Sequence, residues 1–364
     1  MTTAPRHETS HPAFALRLLL GGAAPAGALG AGGWEELLRV ARRNFVLVRL
    51  SDRLGELGIN PPAFFEEEAG RERQRAAAML DIIGRVTRAC EGRGVAHVFA
   101  KSFQHHPDMG GDIDLFVESR SAEVDKAVLE GTAAEPVPRD LRARVSGVTC
   151  YRVCGGEFVL EIHHGRVGLL GEHGALVGQL IRNARRGRVG GGEFLLPSAE
   201  DLLVLHGAQR VYRSGPVRLC DVLSTAALVR PERLDWDYLL RTSERLGTAY
   251  GLRSYLTYAG QIYREASGRE LLPAGPRAEL EASGCGRAEP RGGVYVFPRG
   301  RVVARVYLGK VRAAVRAGNW EALGRLSLTP LLAASALARA LKPRARAGRG
   351  RGLVRAEGGA GVTP

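Results

Sequence analysis

Val98-Phe99-Ala100-Lys101-Ser102 is an apolar run that ends in a lysine and a small polar residue, and ten positions after Ser102 the chain reads Asp112-Ile113-Asp114-Leu115-Phe116-Val117. Residues 95–100 follow Gly92 and Gly94, and both they and 113–117 have the length and apolar texture of strands. Asp112 and Asp114 stand at i and i+2, so on a strand both carboxylates leave from one face. Two like charges that close repel each other. A divalent cation relieves that repulsion, and Mg²⁺ prefers hard oxygen ligands in octahedral geometry.

Working outward, 145–153 and 157–163 read as two strands joined by Gly155-Gly156, a pair that tolerates the positive φ of a tight hairpin turn. A two-residue turn sets Cys150 opposite Glu161. Tyr151, Val153, Phe158, Leu160 and Ile162 then share an apolar face, with Glu161 and His163 on the other. Glu161 is therefore the candidate third ligand beside Asp112 and Asp114. Three carboxylates holding two metal ions suit in-line phosphoryl chemistry, in which the metals stabilise attacking and leaving oxygens.

The flanks are helical. Trp34, Leu37, Leu38, Ala41, Phe45 and Val48 recur at helical steps, Asn60-Pro61-Pro62 interrupts, and Met79, Ile83, Val86 and Cys90 mark a second helix. Beyond 165 the pattern predicts mostly helix. Ser198-x-x-Asp201 and Asp235 provide caps, and further helices are expected around 219–226 and 249–266. Segments 294–297 and 302–306 read as a hairpin, and 326–341 as a helix. The expected organisation is a loosely ordered 1–32, N-terminal helices over 33–94, an α/β core over 95–196 and a helical domain over 197–273. A C-terminal extension of hairpin plus helix over 274–341 and a disordered basic tail over 342–364 complete it.

The order of these motifs resembles the DNA polymerase beta-like superfamily of nucleotidyltransferases, and within it an uncharacterised bacterial nucleotidyltransferase family. There a Leu-Lys-Gly turn precedes an Asp-Ile-Asp-Leu strand, an acidic-Leu-His strand follows, and a helical half carries Arg-x-x-Asp and Leu-Asp-Trp. Lys101, Asp112, Ile113, Asp114, Leu115, Glu161, His163, Arg218, Asp221, Leu234, Asp235 and Trp236 match in that order, across about 33–270. The resemblance implies an α/β (α+β) fold: a small mixed sheet flanked by N-terminal helices and a helical C-terminal half. It implies transfer of a nucleoside monophosphate from an NTP such as ATP to an unknown acceptor with two Mg²⁺ ions, or Mn²⁺. By carry-over Asp112, Asp114 and Glu161 are catalytic and bind metal, Lys101 and Ser102 bind the nucleotide triphosphate, and His163, Arg218 and Asp221 support the site. Lys101 and Ser102 stand where the superfamily has Gly-Ser or Gly-Gly, and a turn needing positive φ would strain Lys101.

Composition bounds the alternatives. The chain has 364 residues with ordinary apolar and charged fractions and a net charge of +14. Residues 301–364 carry 13 basic residues against Glu321 and Glu357, so the first 300 are nearly neutral. With 48 Arg to 4 Lys, coding bias explains much of the arginine. The basic tail reads as a solubilising extension or as a phosphate-tracking segment, and no aromatic interleaves with its arginines. A nucleic-acid-binding protein using that tail, and a degenerate nucleotide- or protein-binding module, are therefore alternatives to an enzyme. The acceptor is a small molecule, a peptide or RNA. Five cysteines, an odd number, do not form a secreted framework, and no stretch is apolar for the length of a membrane span, so a cytoplasmic location is expected.

Plainer accounts of individual residues stay open at this level. Asp112 and Asp114 also fit a solvated strand entry, Glu161 a solvent-facing strand position and Lys101 a surface lysine. Arg218 and Asp221 fit a helical i, i+3 pair, His206 a hydrogen-bonded core histidine, and His105-His106 with His163-His164, or Cys150 with Cys154, a zinc site that lacks the usual spacing.

Overall fold

A computed structural model describes residues 11–22, 31–213, 216–229 and 234–341. The order is α1 (Pro12–Leu19), α2 (Ala31–Asn44), α3 (Leu47–Glu56), α4 (Ala63–Gly92), β1 (His97–Phe99), β2 (Asp112–Val117), α5 (Ala122–Gly131), β3 (Glu135–Pro136), α6 (Leu141–Ser146), β4 (Val148–Val153) and β5 (Phe158–His164). Then follow α7 (Gly174–Arg182), the hairpin β6 (Arg185–Val189) and β7 (Gly192–Leu196), α8 (Ala199–Arg213), α9 (Leu219–Leu228), α10 (Trp236–Arg245), α11 (Ala249–Ser267) and α12 (Ala274–Glu281). A second hairpin, β8 (Glu289–Arg291) and β9 (Val294–Val296), leads to α13 (Arg299–Arg316) and α14 (Trp320–Leu341).

The central sheet runs β1-β2-β5-β4-β3 and is mixed: β2 and β5 are parallel, and the other neighbours antiparallel. Side-chain alternation along β2 divides two cores. Ile113, Leu115 and Val117 join Val153, Phe158, Leu160 and Ile162 beneath Met79, Ile83 and Val86 of α4 and Val124 and Val128 of α5. Phe116 faces the other way, into a larger core built by α1, α2, α7, α8 and α11. The β4–β5 turn has Gly155 at φ 63° and Gly156 at φ 96°, and Val153 pairs with Phe158 and Cys150 with Glu161, the register expected. Ser198 and Asp235 cap α8 and α10 through hydrogen bonds accepted from the Asp201 and Tyr238 amides.

Several expectations are corrected. Residues 12–19 are not loose: they form α1, whose Phe14, Ala15, Leu16 and Leu18 are buried against α3 and α11, because an apolar stretch beside two helices gains by leaving water. The stripe from Trp34 to Val48 is two helices, since Phe45 takes φ 51° between α2 and α3. Residues 302–306 are helical, with Val302 and Val306 buried one turn apart on α13; the hairpin lies earlier and turns at Gly292-Gly293. The β6–β7 hairpin, in a region read as helical, turns at Gly190-Gly191. The segments 1–10 and 23–30 and the basic tail 342–364 lie outside the described residues. Among those described, no helix is long and apolar enough to cross a membrane.

Candidate active site

β2 and β5 bring the site together. Their parallel register sets Asp114 beside Glu161 and Phe116 beside His163, so Asp114, Glu161 and His163 share one face. The His163 ring stacks on Phe116 at a centroid distance of 4.4 Å and an interplanar angle of 6°. That contact aims Nε2 at Asp114 Oδ1, 3.0 Å away, with Glu161 Oε2 at 3.8 Å. One ligand atom from each of Asp114, Glu161 and His163 falls within 4.8 Å of the others. Two carboxylates and an imidazole form a donor set that Mn²⁺ or Zn²⁺ accepts, and the two carboxylates alone suit Mg²⁺.

Asp112 is outside that set. It begins β2 as an exposed residue whose cross-strand neighbour is Val159. The pair inferred from i, i+2 spacing is thus unequal, with Asp114 buried and Asp112 at the rim.

Lys101 follows β1 and reaches back over the strand, Nζ lying 2.5 Å from Asp114 Oδ1. Burial by itself raises the Asp114 carboxyl, but Lys101 and the hydrogen bond from His163 outweigh it and hold the group well below the usual carboxylate range. Ser102 is buried, and its Oγ accepts the Asp114 amide hydrogen bond at 2.9 Å. The non-glycine residues with positive φ are Phe45 and Cys154 among those described, so Lys101 is not forced into the left-handed region.

The loop from Lys101 to β2 is pinned twice. Asp108 Oδ1 accepts from the Val48 amide at 2.6 Å and so caps α3 from outside its own chain segment, while the Ser224 hydroxyl of α9 donates to the Gln104 carbonyl at 2.5 Å. Beneath it, Arg210 of α8 donates to His105 Nε2 at 2.6 Å and pairs with Asp221 Oδ1 at 3.0 Å. Burial lowers the Arg210 guanidinium, but Asp221 and, more weakly, Asp114 raise it and keep it charged. His105, Cys220 and Asp221 also bring ligand atoms within 4.8 Å of one another. Their fit to a metal is poor: a guanidinium already bridges His105 and Asp221, and burial pushes the Cys220 thiol well up, away from the thiolate form.

Arg218 and Asp221 do not pair as side chains. The Arg218 amide donates to Asp221 Oδ2 at 3.1 Å, and its guanidinium lies 4.4 Å over the Phe45 ring. His206 bonds Tyr255 and Gln104 and is pushed down to about 3 by burial, then by Arg210 and Lys101. Cys150 and Cys154 join neither ligand group.

Sequence reasoning missed Arg210, which sits unannounced in the middle of α8, and it ranked His163 below Asp112. The stacking partner Phe116, two positions after Asp114, was the available signal for His163.

A family model described as uncharacterised nucleotidyltransferase matches residues 31–264. The chain belongs to that family. No curated protein and no solved structure matches it. The nucleotidyltransferase match spans α2 through most of α11 and takes in the whole central sheet with Lys101, Asp114, Glu161 and His163. The segments α12, β8, β9, α13 and α14 lie beyond this nucleotidyltransferase region.

Proposed function

We propose that this nucleotidyltransferase moves a nucleoside monophosphate from an NTP to an acceptor at the Asp114–Glu161–His163 cluster. The observation that carries the reading is the in-register placement of Asp114 and Glu161 on parallel strands, with His163 completing a compact donor set. A divalent ion bound there supplies charge neutralisation for the triphosphate and the leaving group. Asp114, already ionised, and Glu161 hold it, with His163 as third donor and Asp112 at the rim toward the nucleotide. Lys101 places a cation beside Asp114, where phosphate charge also accumulates. The acceptor atom bonds to the α-phosphorus, the α–β bridging bond breaks, and pyrophosphate departs with the electron pair. Glu161, more exposed than Asp114, takes the acceptor's proton.

The test is label transfer from α-labelled NTPs over an acceptor panel, with Mg²⁺ or Mn²⁺, for wild type, Asp114→Asn and Glu161→Gln. Loss of about a hundredfold or more in both variants is expected; transfer at the wild-type rate would remove these residues from the reaction.

The Lys101–Asp114 ion pair favours one second reading, a nucleotide-binding protein of this fold without turnover, because the ammonium occupies an oxygen that a metal needs. Metal-independent NTP binding by calorimetry, with no transfer to any acceptor, distinguishes it.

A further inference from the structure

A second site opens at the other end of the strand pair. Lys101 and Ser102 adjoin the amino end of β2, whereas a cleft of about 430 Å³ lies where β2 and β5 finish. The loops that leave both strands line it, and α6 and α14 form its sides. His164, its contribution from β5, alternates with His163 and so belongs to the opposite face of the sheet from the Asp114 cluster.

Charge in this cleft is strongly unbalanced. Arg120, Arg139, Arg144, Arg166 and Arg325 line it against Glu118 and Glu321. Arg166 and Arg325 both grip Glu321, at 2.6 Å and 3.2 Å, and Arg325 also donates to the Leu170 carbonyl at 3.0 Å. The inner wall thus already holds one oxyanion between two guanidiniums. The outer three have no such partner. Arg139 donates to the carbonyls of Val148 and Ala143, at 3.0 Å and 3.2 Å, which orients its fork without cancelling its charge. Arg120 and Arg144 are exposed and form no ion pair with a described residue.

Guanidinium forks match phosphate oxygens in geometry and charge. No Phe, Tyr or Trp lines the cleft, the His164 ring is buried with its Nε2 bonded to the Thr149 hydroxyl, and the volume suits a small ligand. We infer that this cleft binds a small soluble ligand bearing two or more phosphate groups, held by Arg120, Arg139 and Arg144 outside the Glu321-bridged wall. Glu321 and Arg325 come from α14, beyond the residues the family model matches, whereas Arg120, Arg139 and Arg144 lie within them. The inference does not rest on the nucleotidyl-transfer reading.

Titration calorimetry of the full chain with inorganic tripolyphosphate, at constant ionic strength, tests it. Binding at the cleft is expected beside any tripolyphosphate taken up at the Lys101 site, and Lys101→Met isolates the cleft at one per chain. Arg120→Ala/Arg144→Ala weakens binding by about tenfold or more, and the melting temperature stays, because both side chains are exposed and unpaired. Glu321→Gln tightens binding about threefold or more by releasing two guanidiniums. Arg301→Ala/Arg316→Ala, which removes equal charge outside the cleft, leaves the affinity of that site unchanged. Wild-type affinity in the Arg120/Arg144 variant, an equal loss in the Arg301/Arg316 control, or loss of all binding in Lys101→Met overturns the inference.

Discussion

Asp114 carries three roles on one side chain. Its amide donates to Ser102 Oγ, and its Oδ1 holds both the Lys101 ammonium and His163 Nε2. A buried carboxylate is tolerated because the Lys101 ammonium and the His163 hydrogen bond offset the desolvation that burial imposes. The same arrangement makes Lys101 a competitor for a divalent ion in the absence of nucleotide. Lys101→Met is therefore expected to tighten Mn²⁺ binding by about threefold to tenfold while weakening NTP binding. Manganese titration with and without NTP measures both arms, and unchanged metal affinity would show that the ion pair does not compete.

At the scale of elements, the helical half reaches the sheet through close helix crossings. A Cβ on Gly251 of α11 would lie 2.3 Å from the Gly207 carbonyl of α8, and one on Gly207 would lie 2.7 Å from the Leu252 Cα. Both backbones are fixed by their own helices, so neither yields cheaply. Gly251→Ala is expected to cost about 1–3 kcal/mol, read as a lower urea midpoint. Because α8 also carries Arg210 and His206 against the loop after Lys101, that variant is expected to lose activity together with stability.

At the scale of the whole molecule, a buried ion pair joins the C-terminal extension to the sheet. Lys310 of α13 lies 2.6 Å from Glu172 in the loop after β5, and both side chains are nearly inaccessible to solvent. Burial raises Glu172, yet Lys310 and His173 outweigh that and hold it down to about 2. A carboxyl lowered on folding contributes stability above its unfolded value, near 4.5, and that contribution disappears as pH falls toward 2. The difference corresponds to about 3 kcal/mol. Glu172→Gln is expected to flatten the acid limb of a stability–pH curve between those values. Lys310→Met, which strands a buried carboxylate, is expected to cost about 3–5 kcal/mol at pH 7.

Local order was legible in the chain itself. The β4–β5 register, the caps at Ser198 and Asp235, the strand carrying Asp114 and the face carrying Glu161 and His163 all follow from short-range periodicity, which is set by backbone geometry alone. The family's motifs were legible for the same reason, being short and ordered along the chain. Convergence was not. That Lys101 turns back onto Asp114, that Asp114 is buried while Asp112 sits at the rim, that Arg210 lies beneath the loop and that Arg166 reaches Glu321 depend on separate elements packing together in space. The energy that decides such meetings is burial and charge pairing summed over the packed molecule, and no window of sequence contains both partners.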